Sequence, residues 1–163
     1  MNKNNRQFEL IYRDNFNKVM RLCLGYASGD KDLAKDLTQE VFVKVWDNLS
    51  KFREDSQVGT WIYRITVNTC LMQLRKKKRY LLKGELQNEI AVADQEGSNK
   101  ERQFKKMYQC IAKLSASNKT IILMELEGLS QKEIAAVMGM NHTAIRTRIH
   151  RIKTQLSKCV THE

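Results

Sequence analysis

The stretch Leu129-Ser130-Gln131-Lys132-Glu133-Ile134-Ala135-Ala136-Val137-Met138-Gly139-Met140-Asn141-His142-Thr143-Ala144-Ile145-Arg146-Thr147-Arg148-Ile149-His150-Arg151 decides the architecture. Ser130 followed three residues later by Glu133 is a capping box, and Leu129 is placed to staple against Ile134. Ile134 and Met138 lie one turn apart on the inner face of a short helix, flanked by Ala135 and Val137. Gly139 supplies a permissive backbone for a turn, and Asn141 is suited to cap a second helix. In that second helix Ile145, Ile149, Ile152 and Leu156 fall within an arc of about 60°, forming the core stripe. The opposite face holds Thr143, Arg146, Thr147, His150, Arg151 and Thr154, with Arg148 and Lys153 on the flanks. From Ile134 to His162 there is no acidic residue. A capped helix, a Gly turn and a second helix with an acid-free face describe a helix-turn-helix. Arginine on such a face can pair with guanine edges at two points, and threonine can meet a thymine methyl. The flanking cations suit phosphates.

Outward from this motif the chain stays helical in character. It has 163 residues, no proline and only 7 glycines, a composition that favours an all-α protein. Apolar periodicity predicts helices over 6–26, 31–50 and 57–79, then over 101–114, 118–127, 131–138 and 142–158. Gly29-Asp30 closes the first helix. The net charge is +11 and unevenly spread. Residues 1–80 carry 16 basic and 9 acidic side chains, residues 81–103 carry 3 and 5, and residues 104–163 carry 10 and 4. The acidic, weakly periodic middle reads as a flexible linker over 81–100, or as a surface loop within one unit. The linker reading gives two small helical bundles, 1–80 and 101–163.

The same data exclude several classes. No run of eighteen apolar residues exists, so neither a membrane span nor a signal peptide is expected, and the location inferred is cytoplasmic. Cys23, Cys70, Cys110 and Cys159 show no paired-ligand spacing and read as reduced, partly buried thiols. The three histidines all follow position 140, and neither a metal nor a cofactor is expected. No convergent His/Asp/Glu set and no nucleophile beside a base are present, which argues against an enzyme. The positive charge instead calls for a polyanionic partner.

The first half carries two further patterns. Over Leu33 to Leu49, residues Leu33, Ala34, Leu37, Val41, Val45 and Leu49 share one face, with Phe42 and Trp46 at its edge. The other face holds Asp36, Gln39, Glu40, Val43 and Asp47. An acidic strip around an exposed valine, in a basic protein, suits a docking face for another protein, although a solvated face has the same pattern. Next, the loop Lys51-Phe52-Arg53-Glu54-Asp55-Ser56-Gln57 feeds a helix through Val58, Ile62, Ile65 and Met72 that ends in Arg75-Lys76-Lys77-Lys78-Arg79. Phe52, Trp61 and Tyr63 are either core or stacking platforms for unpaired bases, with core favoured for Trp61. The terminal basic cluster either meets phosphates or solvates a helix end favoured by the dipole.

Together these pieces resemble a family. Asp36-Leu37-Thr38-Gln39-Glu40-Val41-Phe42-Val43-Lys44-Val45-Trp46 is similar to region 2.2 of bacterial sigma factors. Thr60 to Asn68, followed by Leu74-Arg75-Lys76, resembles regions 2.3 to 2.4, and Glu127 to Ala135 through Ile145 to Arg151 resembles region 4.2. Two such units joined by a short linker look like the extracytoplasmic-function group of the sigma-70 family. The resemblance implies that Asp36, Gln39, Glu40 and Val43 bind the clamp helices of the largest subunit of core RNA polymerase. It also implies a contact of the second unit with the beta flap. Phe52, Arg53, Ser56, Arg64, Asn68 and Arg75 would recognise and help melt the minus-ten element of promoter DNA. Thr143, Arg146, Thr147, Arg148, His150 and Arg151 would read the minus-thirty-five element. An anti-sigma factor is a further expected partner. Met72 stands where the group often carries aspartate, and Ser115 where it often carries proline. A stand-alone helix-turn-helix regulator is the alternative. It accounts for 118–158 and leaves the acidic helix and the 51–79 block unexplained.

Overall fold

A computed structural model describes residues 2–53, 57–84 and 97–162. These form α1 (Lys3–Tyr26), α2 (Lys31–Asn48), a 3-10 turn (Leu49–Lys51), α3 (Val58–Leu82), α4 (Asn99–Ala112), α5 (Ala116–Leu126), α6 (Gln131–Met138) and α7 (His142–Thr161). There is no strand among the described residues. The all-α class is therefore observed, and the predicted helices are found with ends shifted by a few residues. Most of the expected linker lies outside the described residues, but its two edges are helical. Leu81 and Leu82 complete α3, and Asn99 and Lys100 begin α4.

Helices α1 to α3 pack as one bundle because each presents an aliphatic stripe. Val19 and Leu22 of α1, Ala34, Val41 and Val45 of α2, and Ile62 and Val67 of α3 are all at most 5% exposed. Each large aliphatic buried this way contributes roughly 1.5–3 kcal/mol. The expected turn after α1 is present: Gly29 takes φ 88°, and its N–H bonds the Leu24 carbonyl. Asp30 then caps α2 by accepting from the N–H groups of Asp32 and Leu33, both at 3.1 Å.

Every helix of the second bundle starts on a capping side chain, namely Ser98, Ser115, Ser130 and Asn141. Ser115 accepts from the Asn118 N–H and so caps the start of α5. The capping box is complete. Ser130 Oγ accepts from Glu133 N–H at 3.1 Å, and the Glu133 carboxylate accepts from Ser130 N–H at 2.8 Å. Gly139 turns the chain at φ 65°, a left-handed conformation that favours glycine.

The cysteines differ from expectation. Cys110 of α4 and Cys159 of α7 form a disulfide with Cα atoms 6.0 Å apart. Their 49-residue separation gave no hint of this, because the pairing depends on α4 lying along the last turns of α7. Cys23 and Cys70 are buried free thiols, with their sulfurs 3.8 Å apart between α1 and α3.

The two bundles also pack against each other. Tyr26 of α1 and Thr120 of α5 share a buried hydroxyl–hydroxyl hydrogen bond, and Arg21 pairs with Glu127 at 2.8 Å. Gly25 sits against Leu123, so closely that an added β-carbon would overlap the leucine methyls. Glycine thus serves the helix approach there rather than a turn, and a larger residue would force Leu123 to shift.

Candidate polymerase and nucleic-acid interfaces

On α7 the core stripe is as the periodicity dictates: Ile145, Ile149, Ile152 and Leu156 are buried. Thr143, Arg146, Thr147, His150, Arg151 and Thr154 are exposed along the other face. Asn141 fixes the start of the helix by accepting from Ala144 N–H at 2.7 Å. The flanking cations are engaged within the fold. Arg148 donates to Ser117 Oγ at 3.0 Å, and Lys153 pairs with Glu125 at 2.9 Å. Arg148 thus differs from the other candidate residues on this helix: it is half-buried and ties α7 to the start of α5.

On α2 the two faces separate in the same way. Ala34, Leu37, Val41, Phe42 and Val45 are buried, while Asp36, Gln39, Glu40, Val43 and Asp47 face solvent. Val43 is 59% exposed and Trp46 44%, an apolar ridge beside the carboxylates. Trp46 meets Phe8 of α1 edge-on, with centroids 5.2 Å apart. Glu40 pairs with Lys44 at 3.1 Å, and Lys44 also donates to Thr69 of α3. That pair is surface-exposed and adds little stability, but it holds the Glu40 carboxylate in place on the ridge.

The third group gathers on and before α3. Arg64, Asn68 and Arg75 are exposed and, at 100° per residue, lie within an arc of roughly 40°. Phe52 and Trp61 are both half-buried and pack ring to ring, 4.7 Å between centroids. Trp61 therefore serves the local packing, the role favoured from sequence, while keeping part of its surface in solvent. Arg53 is exposed; Ser56 lies outside the described residues.

Arg64 is not free. Its guanidinium donates to the Ala136 carbonyl of α6 at 2.8 Å. Beside it Tyr63 is buried between the bundles, and its hydroxyl pKa is pushed up to about 12, by burial first and then by the Glu127 charge. Arg21, Tyr63 and Glu127 thus form a polar junction that no local pattern in the sequence marked. The amphipathic periods identify each bundle's own core, whereas these residues are polar and meet only when the bundles dock.

Comparison with known proteins agrees with this arrangement. Residues 11–80 match the family Sigma-70 region 2, and residues 104–156 match Sigma-70, region 4. The ECF RNA polymerase sigma factor SigW of Bacillus subtilis is 30% identical, over 91% of this chain and 84% of its own length. The RNA polymerase sigma-H factor of Pseudomonas aeruginosa is 30% identical over 95% and 86% respectively. In fold, the chain is similar to the sigma factor RpoE solved with the anti-sigma factor NepR from Bartonella quintana. That likeness has a TM-score of 0.77 at 21% identity, covering 97% of this chain and 99% of that one. CnrH, solved with the cytosolic domain of CnrY, gives a TM-score of 0.71 at 22% identity over 95% and 88%. The chain belongs to the sigma-70 family, in its extracytoplasmic-function group, and is an RNA polymerase sigma factor directing promoter-specific transcription initiation.

Proposed function

We propose that the two bundles divide the work of initiation, with residues 1–80 docking on polymerase and opening the minus-ten element and residues 101–163 reading the minus-thirty-five element. The observation that carries this division is the pair of opposed helix faces. An acidic, valine-centred face on α2 suits a protein partner, and an acid-free Arg/Thr/His face on α7 suits DNA.

Asp36, Gln39, Glu40 and Val43 are assigned to the clamp helices of the largest polymerase subunit, and the second bundle to the beta flap. Phe52, Arg53, Ser56, Arg64, Asn68 and Arg75 are assigned to the minus-ten strand. Capturing an unpaired base there requires a stacking surface to offset a few kcal/mol of unstacking, which Phe52 and Trp61 can supply. Thr143, Arg146, Thr147, His150 and Arg151 are assigned to base edges and phosphates of the minus-thirty-five duplex, and Arg148 to positioning α7. The chain contributes recognition, and the bond-forming chemistry belongs to the polymerase. RpoE is solved with the anti-sigma factor NepR and CnrH with the cytosolic domain of CnrY; by analogy with the first, an anti-sigma factor is the proposed antagonist here.

The test is selection of promoter fragments by the purified chain with core polymerase, followed by transcription from the selected templates. Enrichment of a two-part motif with defined start sites is expected. Absence of both polymerase binding and start-site selection would overturn the assignment.

A further inference from the structure

A groove of about 780 Å³ runs between the end of α1, the start of α2 and the second half of α3, and α5 closes one side of it. Its volume falls in the range of small-ligand pockets, roughly 300–1,000 Å³. Lys119, on the first turn of α5, lines it and is only 7% exposed. Among the described residues no hydrogen bond or ion pair reaches its ammonium group. Among the described residues no fully sealed side-chain nitrogen lacks a partner either, so the Lys119 Nζ keeps some access to solvent where the residue lines the groove. Burial, and then the charge of Lys77, push its pKa down, meaning that the ammonium is destabilised where it stands. Lys76 and Lys77 of α3 line the same groove, and none of the three lysines takes part in a salt bridge among the described residues.

A nearly buried cation with further cations beside it, and no counter-charge among the described residues, is unfavourable unless an anion arrives. The groove also supplies a non-polar surface. Leu37 lies along it, and Tyr80, 46% exposed, stands at its rim. A duplex backbone is a poor fit, because Lys119, which lines the groove, is only 7% exposed. We propose that this groove binds a phosphorylated nucleoside, with its phosphates on Lys119, Lys77 and Lys76 and its base against Tyr80 and the apolar floor. Lys119 comes from the second bundle and the remaining contacts from the first. Such a ligand therefore binds best when the bundles are docked, and by linkage it favours the docked form.

The test is calorimetric titration of the full chain with ATP, inorganic pyrophosphate and adenosine at 150 mM salt, together with thermal melts. ATP is expected to bind one to one, pyrophosphate more weakly and adenosine weakest. Lys119→Met should weaken ATP binding at least tenfold and, without ligand, raise the melting temperature by removing the uncompensated charge. Lys77→Met, on an exposed position of α3, should also weaken ATP binding, and Tyr80→Ala should weaken ATP but spare pyrophosphate. Lys105→Met, exposed on α4, should change nothing. ATP binding that survives both Lys119→Met and Lys77→Met overturns the site. So does equal loss in Lys105→Met, which would indicate general polyanion attraction. Dependence on Lys119 seen only with single-stranded DNA overturns it in favour of a nucleic-acid groove.

Discussion

The Arg64 guanidinium of α3 donates to the backbone carbonyl of Ala136 in α6 at 2.8 Å, joining a residue proposed for the minus-ten strand to the first helix of the helix-turn-helix. In this arrangement one Arg64 N–H is committed to the junction, while the side chain remains exposed. Contacts across the junction include Arg21–Glu127, Tyr26–Thr120, the Gly25–Leu123 approach and Arg64 itself.

Reversing the Arg21 charge should open the junction. Arg21 is more than half exposed in its pair with Glu127, so the stability change should be small, about 0–1 kcal/mol. The distance distribution between labels on the two bundles should nonetheless broaden in Arg21→Glu and narrow again in the Arg21→Glu/Glu127→Arg double variant. An unchanged distribution in the single variant would show that the pair does not hold the bundles.

Gly25→Ala tests the close approach of α1 and α5. Alanine is the better helix former by about 1 kcal/mol, yet its methyl would overlap Leu123. Overpacking of this kind costs about 1–3 kcal/mol. Small-angle scattering should show a larger radius of gyration, with helix content by circular dichroism unchanged.

Arg146 and Arg148 should behave differently although they lie two residues apart. Arg146→Ala should cost roughly 1–3 kcal/mol in binding to the upstream element and relax preference at particular bases. Arg148→Ala removes the hydrogen bond to Ser117. It should lower the melting temperature of the second bundle and weaken binding evenly across sequences. Competition binding with single-base variants of the site distinguishes the two outcomes.

Replacing Asp36 and Glu40 with lysine should reduce affinity for core polymerase while leaving the circular dichroism spectrum unchanged, because both side chains face solvent. Unaltered affinity by fluorescence anisotropy would remove α2 as the docking face.

Reduction should lower the stability of the second bundle. Closing a loop between residues 49 positions apart is worth ~4 kcal/mol by chain entropy. A melt in dithiothreitol should fall below the oxidised melt, and Cys110→Ser/Cys159→Ser should match the reduced wild type. Equal melting temperatures would show that the bridge does not contribute.

Much of this protein was determined by sequence alone. The 3.6-residue period placed Ile145, Ile149, Ile152 and Leu156 on one side of α7 and Arg146, Thr147, His150 and Arg151 on the other. It separated Val41 and Val45 from Asp36, Gln39 and Glu40 in the same way. Ser130, Glu133, Gly139 and Asn141 marked the helix ends because capping is local chemistry, complete within a few residues. What depended on tertiary structure lies across distances in the chain that no period spans. Cys110 meets Cys159, Arg64 meets Ala136, Arg148 meets Ser117, and Lys119 comes beside Lys77. These contacts are made by polar or small residues, one of them through a backbone carbonyl, so amphipathic patterning is silent about them, and they exist only because separately specified helices pack at particular places. The individual faces could be read from the order of residues; which of them are free and which are already occupied could be read only from the packed fold.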